Sequence, residues 1–235
     1  MKTLTVLFIL TSHSVMGNTG HETGLWLEEF TTPYYELHDA GYEIEIATIE
    51  GGASPIDPRS LDGDDLPESV ARYNEDEALQ SAFNNALAIS DVDAGKYAAV
   101  ILPGGHGTMW DLPNNARLSE IISSTYQDGR VVAAVCHGPA GLIGPVEENG
   151  QPIVKGKKVA GFTNSEEEAV GLTEAVPFLL EDKLIELGAN YQKGPDFEPY
   201  AVADGNLVTG QNPSSSKKVA ELVIEILNAK KEGNE

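Results

Sequence analysis

The chain predicts a flavodoxin-like, doubly wound α/β sandwich, a mainly parallel sheet with helices on both faces. Three observations predict it. Short apolar, β-branched runs such as Val131-Val132-Ala133-Ala134-Val135 read as strands buried on both faces. Helical stretches alternate with these runs along the chain, the rhythm of a parallel sheet. Right-handed crossovers then wind the sheet in both directions from its centre.

Taken in order, residues 4–10 predict the first strand. Met1-Lys2-Thr3 ahead of them resembles the start of a signal peptide, but the apolar run is at the short limit of one and no small-x-small site follows. A helix over about 24–40 and a strand over 42–48 come next. The stretch from Gly51 to about Glu77 breaks the rhythm. It holds Pro55, Pro58 and Pro67 and the acids Asp62, Asp64, Asp65, Glu75, Asp76 and Glu77. It is longer than an ordinary connection and reads as an insertion, a small cap flanking the site, on one domain spanning 1–235. A disordered acidic loop is the alternative. Strands over 97–102 and 131–135 bracket a helix over 116–127. Short strands at 158–161 and 207–209 follow, and helices over 173–187 and 215–229 close the chain. In such a fold ligands bind beyond the carboxyl ends of the strands, so the loops after Leu10, Leu102 and Val135 should converge.

Bulk numbers narrow the function classes. Fifteen basic against 37 acidic residues give a net charge of -22, which repels nucleic acid and anionic membrane surfaces. No run approaches transmembrane length. A single cysteine rules out an intrachain disulfide framework and favours a reducing, cytoplasmic setting.

That cysteine, Cys136, follows the 131–135 strand, and after His137 the chain turns sharply into Gly138-Pro139-Ala140-Gly141-Leu142, which reads as a helix start. A strand-to-helix elbow lifts one side chain above the sheet edge and aims N–H groups at it. Those groups and the helix dipole predict a thiolate at neutral pH. The alternative is an inert buried thiol.

Thiol catalysis needs a base, an orienting acid and oxyanion donors as well. The ring of His137 can reach back to the thiol or turn toward a carboxylate, and its backbone N–H follows the nucleophile. Pro103-Gly104-Gly105-His106-Gly107-Thr108 permits N–H groups aimed into a cleft, with Gly105 as the second oxyanion donor. His106 lines the pocket or lies on the surface. Glu166-Glu167-Glu168 offers three acids, any of which could serve from spacing alone. Of Glu28-Glu29 on the first helix, one faces the active edge. A carboxyl buried beside Cys136 would have a raised pKa and could shuttle a proton. His13, His21 and Glu22 form no recognisable metal pattern, and no metal is expected.

These residues resemble the ThiJ/PfpI superfamily and, within it, the branch of heat-shock chaperone-like glyoxalase III proteins, over nearly the whole chain. Thr23 to Pro33 is similar to that branch's first-helix motif, whose acid stands five after the glycine and four before the proline. Ala133-Ala134-Val135-Cys136-His137-Gly138-Pro139 is the most specific match, and Gly104 to Thr108, Gly161 to Gly171 and Val208 to Ser215 also match. The resemblance implies a class I glutamine amidotransferase-like fold and a Cys136-His137-Glu167 triad with Glu29 at the thiol. It selects Glu29 over Glu28 and Glu167 over its neighbours, and Glu166 and Glu168 are then expected to behave as surface residues. It further implies a homodimer and cofactor-free conversion of methylglyoxal, a small 2-oxoaldehyde, to lactate. Stress-related chaperone and protein-deglycating activities are claimed in the family too.

Two other classes compete. An amidase or peptidase of the same fold would pair the cysteine with a distant His-x-Glu segment, and none of His13, His21, His38, His106 and His137 lies in one near the C-terminus. A holdase chaperone or redox sensor would need exposed apolar patches or an oxidisable thiolate.

Overall fold

The computed structural model describes residues 3–63 and 66–232. Met1 and Lys2, and the acids Asp64 and Asp65 of the 51–77 stretch, lie outside the described residues. The central sheet has seven strands: β1 (Thr5–Leu10), β2 (Glu43–Thr48), β3 (Leu87–Ala88), β4 (Ala99–Leu102), β5 (Val131–Val135), β8 (Ala201–Asp204) and β9 (Leu207–Gly210). Their order is β3-β2-β1-β4-β5-β9-β8, all parallel except the antiparallel β8–β9 pair. Winding runs outward from β1 through β2 to β3, and from β4 through β5 to β9, so the switch point lies between β1 and β4. Ligand clefts form there in open parallel sheets. The loop after β4 runs into α4 (Thr108–Asp111), a single turn.

The apolar runs have a direct explanation in the layers. Val6, Phe8 and Leu10 of β1 pack with Phe30 and Leu37 of α1 (Leu27–Asp39) and Val219, Val223 and Leu227 of α8 (Ser216–Glu232). Leu7 and Ile9 face the opposite layer, with Leu118, Ile121 and Ile122 of α5 (Ala116–Gln127). A strand buried on both faces cannot alternate apolar and polar residues, which is why β1 and β5 are continuous apolar runs.

The described residues of the 51–77 stretch form regular turns and helix. They include a 3-10 turn at Pro58–Leu61 and α2 (Glu68–Glu75), and α3 (Glu77–Asn84) comes next. Val70, Tyr73, Leu79 and Phe83 join the α1–α8 core, so the disordered-loop alternative does not hold. The expected helix over 173–187 is cut to α7 (Leu180–Glu186) because Pro177 cannot donate into a helix or clear the preceding turn. The strand expected at 158–161 is only β6 (Lys158–Val159), paired with β7 (Asn190–Tyr191) outside the main sheet. No helix among the described residues is long and apolar enough to cross a membrane.

Candidate active site

Cys136 directly follows β5 with φ +60, a left-handed conformation that a non-glycine residue rarely adopts. Its backbone N–H still donates to Gly210 O of β9 and its carbonyl accepts from Phe162 N–H of the segment after β6, so neighbours on either side hold the elbow in place. Strain kept this way by its surroundings marks functional turns. Beyond His137 the chain forms a short 3-10 turn, Gly138–Leu142, rather than a full helix.

His137 is fully buried and its two ring nitrogens face different partners. Nδ1 lies 3.4 Å from Cys136 Sγ, and Nε2 lies 2.7 Å from Glu167 Oε2. Glu167 stands on α6 (Asn164–Ala169), where a capping box between Thr163 and Glu166 sets the start of the helix. Its other oxygen, Oε1, pairs with His106 Nε2 at 2.7 Å. Burial works to raise the Glu167 carboxyl. The charge of His137 and the hydrogen bonds from His106 and His137 overrule it and hold the group well below the ordinary carboxylate range. With an ionised Glu167 accepting at Nε2, His137 keeps its Nδ1 lone pair toward the thiol.

Glu29 reaches the site from the first turn of α1. Its Oε2 accepts the Gly104 N–H at 2.7 Å, while Oε1 is buried without a regular hydrogen bond and is left to the Cys136 thiol. Burial pushes this carboxyl well up, more than the Cys136 and Gly104 contacts pull it down. Burial thus favours the protonated carboxyl of Glu29. Glu28, next to it, is only partly buried and faces a surface groove.

The thiol itself departs from expectation. Burial, then Glu29, push Cys136 well above the ordinary thiol value, so the resting group is SH and not thiolate. The sequence promised a helix dipole at this point, but one 3-10 turn supplies little of it, and the site is drier than a helix terminus at the surface.

Gly104 and Gly105 are required by contact. A Cβ on Gly105, whose φ is +98, would lie 2.3 Å from Gly24 O, and one on Gly104 would lie 2.7 Å from Glu29 Oε2. The Gly105 and His137 backbone N–H groups have no acceptor among the described residues, so both can serve an oxyanion. His106 is buried beside His137, with ring centroids 4.0 Å apart, and is not a surface residue.

The cavity above the thiol measures about 300 Å³, with Trp26, Phe162, Val170, Phe197 and Pro213 as apolar walls. Sequence reasoning passed over these, and over Arg59, which also lines it. Arg59 is the only Lys or Arg between Lys2 and Arg72, a signal hidden among acids. His106, His137 and Glu167 bring ligand-type atoms within 4.8 Å of one another. Both ring nitrogens facing Glu167 are taken up as N–H donors to it, so the trio is a hydrogen-bonded cluster. His13 instead stacks on Trp110, and His21 and Glu22 are exposed.

Glu166 contradicts the expectation of a surface residue. It is fully buried and accepts from Thr163 N–H and Oγ1, Phe197 N–H, Gln211 Nε2 and Asn212 Nδ2. Glu168 is exposed.

A strained cysteine elbow at the carboxyl edge of a doubly wound sheet, with a histidine and a buried acid behind it, is an arrangement fit for thiol chemistry in an α/β protein of this class. The chain belongs to the DJ-1/PfpI family, whose profile matches residues 22–226. It is 36% identical over 233 residues to Glyoxalase 3 of Candida albicans, covering 93% of this chain and 96% of that one. The crystal structure of glyoxalase III from Candida albicans superposes with a TM-score of 0.87 at 32% identity, covering 95% of this chain and 97% of the other. Rapid Encystment Protein 24 KDa of Francisella tularensis superposes at 0.92 with 42% identity, covering 96% and 99%.

Proposed function

We propose that the protein is a glutathione-independent glyoxalase that converts methylglyoxal to lactate at Cys136. The observation carrying this is the ordered series Cys136 Sγ, His137 Nδ1, His137 Nε2, Glu167 Oε2, with the buried carboxyl of Glu29 against the sulfur. Similarity to named glyoxalases over nearly the whole chain supports it.

The groups present dictate the chemistry. His137 Nδ1 takes the thiol proton as sulfur adds to the aldehyde carbon, giving a hemithioacetal whose oxygen rests on the Gly105 and His137 N–H groups. Glu167 stabilises the imidazolium. The imidazolium returns the thiol proton to the hemithioacetal oxygen. His137, neutral again, takes the C1 proton while the Glu29 carboxyl protonates the C2 oxygen to give an enediol. Delivery of the His137 proton to C2, with return of the C1 hydroxyl proton to Glu29, leaves a lactoyl thioester. Water hydrolyses the thioester, returning the thiol and releasing lactate. One water is consumed per turnover, and no step draws on a nicotinamide or a metal.

The same reading takes the chain as a homodimer in the cytoplasm, where one free cysteine persists reduced. Holdase, deglycase and amidase activities are the competing readings, and the pairing of His137 with Glu167 in place of a distant His-x-Glu weighs against the last. Incubation with methylglyoxal in glutathione-free buffer containing a chelator tests the proposal. One lactate formed per methylglyoxal consumed is expected. Consumption into protein adducts without lactate would overturn it.

A further inference from the structure

We propose that Arg59 is a positioning residue, which fixes the His106 ring as an Nε2–H donor to Glu167 and so reserves the site's proton for His137. Its effect on turnover rests on the glyoxalase reading; its effect on His106 does not.

Arg59 sits in the stretch between β2 and α2, on the 3-10 turn Pro58–Leu61. The turn is anchored to the start of α1. Leu25 N–H donates to Pro55 O at 2.8 Å and Asp57 N–H donates to Leu25 O at 2.9 Å. Asp57 is fully buried, accepts from Thr23 Oγ1 at 2.8 Å, and takes the guanidinium as a fork. Nε meets Oδ1 at 3.0 Å and Nη2 meets Oδ2 at 2.6 Å. A two-pronged pair of this kind fixes the plane of the guanidinium. The second hydrogen of Nη2 then points to His106 Nδ1, 3.1 Å away.

A guanidinium has donors only and keeps its charge at any working pH. His106 Nδ1 must therefore accept, and its proton must sit on Nε2, where Glu167 Oε1 receives it at 2.7 Å. The opposite tautomer would set a lone pair against a carboxylate oxygen. Protonation of His106 would set an N–H against the guanidinium and a second cation beside His137. The charged and titratable groups facing His106 are Arg59 from the inserted stretch, His137 from the elbow and Glu167 from α6. Burial, then His137, with Arg59 adding to them, lower His106 to about 4 against the pull of Glu167. Glu167 is thus held by two donors, and only the ring on the thiol side is free to take a proton.

Long-range ¹H–¹⁵N correlation of the histidine rings in the uniformly ¹⁵N-labelled full chain reads the tautomer directly. In the wild type, His106 should show an unprotonated Nδ1 and a protonated Nε2 from neutral pH down to mild acid. In Arg59→Gln, His106 should titrate above its wild-type value, while burial and His137 still hold it below the ordinary histidine value of about 6.5. In that variant kcat should fall at least about tenfold, with its acid limb moved upward and KM changed less. Asp57→Asn, which loosens the fork, gives the same readouts in milder form if Arg59→Gln does not fold. A protonated Nδ1 in wild-type His106, or an unchanged His106 titration in the variants, would overturn the proposal. Absence of wild-type lactate formation would instead defeat the glyoxalase reading and leave the tautomer result standing.

Discussion

Glu166 and Glu167 are consecutive, both buried, and turn their carboxylates to opposite sides of α6. Glu167 faces the rings of His106 and His137, whereas Glu166 faces the closing turn that carries Gln211 and Asn212. On a helix, neighbours diverge by about 100°, so two adjacent buried acids cannot share a target.

The two acids should therefore fail differently. Glu167→Gln should lower turnover while the fold persists, because the amide keeps the shape and loses the charge that supports the imidazolium. Glu166→Gln should cost about 1–3 kcal/mol of stability, because an amide NH₂ would meet donors that now find an acceptor. Glu168→Gln should stay within about 0.5 kcal/mol. Chemical denaturation alongside steady-state rates separates the three, and a stable but inactive Glu166→Gln would contradict the division.

Glu29 should matter far more than Glu28. Glu29→Gln is expected to cut turnover by about a hundredfold, the scale of one acid–base group, with Glu28→Gln nearly silent. The sign of the stability change is also fixed. A carboxyl raised by burial holds its proton more tightly folded than unfolded, so stability falls as pH rises from the ordinary carboxyl value toward the folded one. Glutamine removes that decline. The variant should melt close to wild type in mild acid and above it at neutral pH, and the reverse order would show that Glu29 is ionised in the fold.

The resting thiol is expected to be protonated. Ultraviolet thiolate absorbance, taken against Cys136→Ser, should be small at neutral pH and grow only above the free-thiol value of about 8.5. A large thiolate signal at neutral pH would mean that the elbow N–H groups outweigh burial and Glu29.

Gly105 should tolerate no side chain. Gly105→Ala places its Cβ against Gly24 O at a φ of +98, so the loop must shift and displace the oxyanion donor. Turnover should fall by at least about a hundredfold, the scale of one oxyanion-hole donor. An alanine variant with wild-type kcat would remove Gly105 from the site.

Much of the fold is legible in the sequence because strong local signals and the sheet agree. The strand at Val131–Val135 and the helix at Ala116–Gln127 have the expected ends, since a fully buried strand and an Asn115 cap leave little choice. The elbow at Cys136 and the glycines of the β4 loop are equally visible. What the sequence hides depends on distant partners. Val202 and Ala203 of β8 lack a β-branched run and become a strand only by pairing with β9. The burial of Glu166 comes from a turn about 45 residues later, a contact no local pattern encodes. The raised thiol of Cys136 and the grip of Arg59 on His106 likewise arise from long-range burial and pairing.

The most direct test compares wild type and Cys136→Ser at matched concentration, with methylglyoxal loss and lactate gain followed together without glutathione. The account predicts lactate matching methylglyoxal loss in the wild type, and none above the uncatalysed background in Cys136→Ser, whose melting temperature stays close to wild type. Lactate formed at equal rates by both proteins would contradict it.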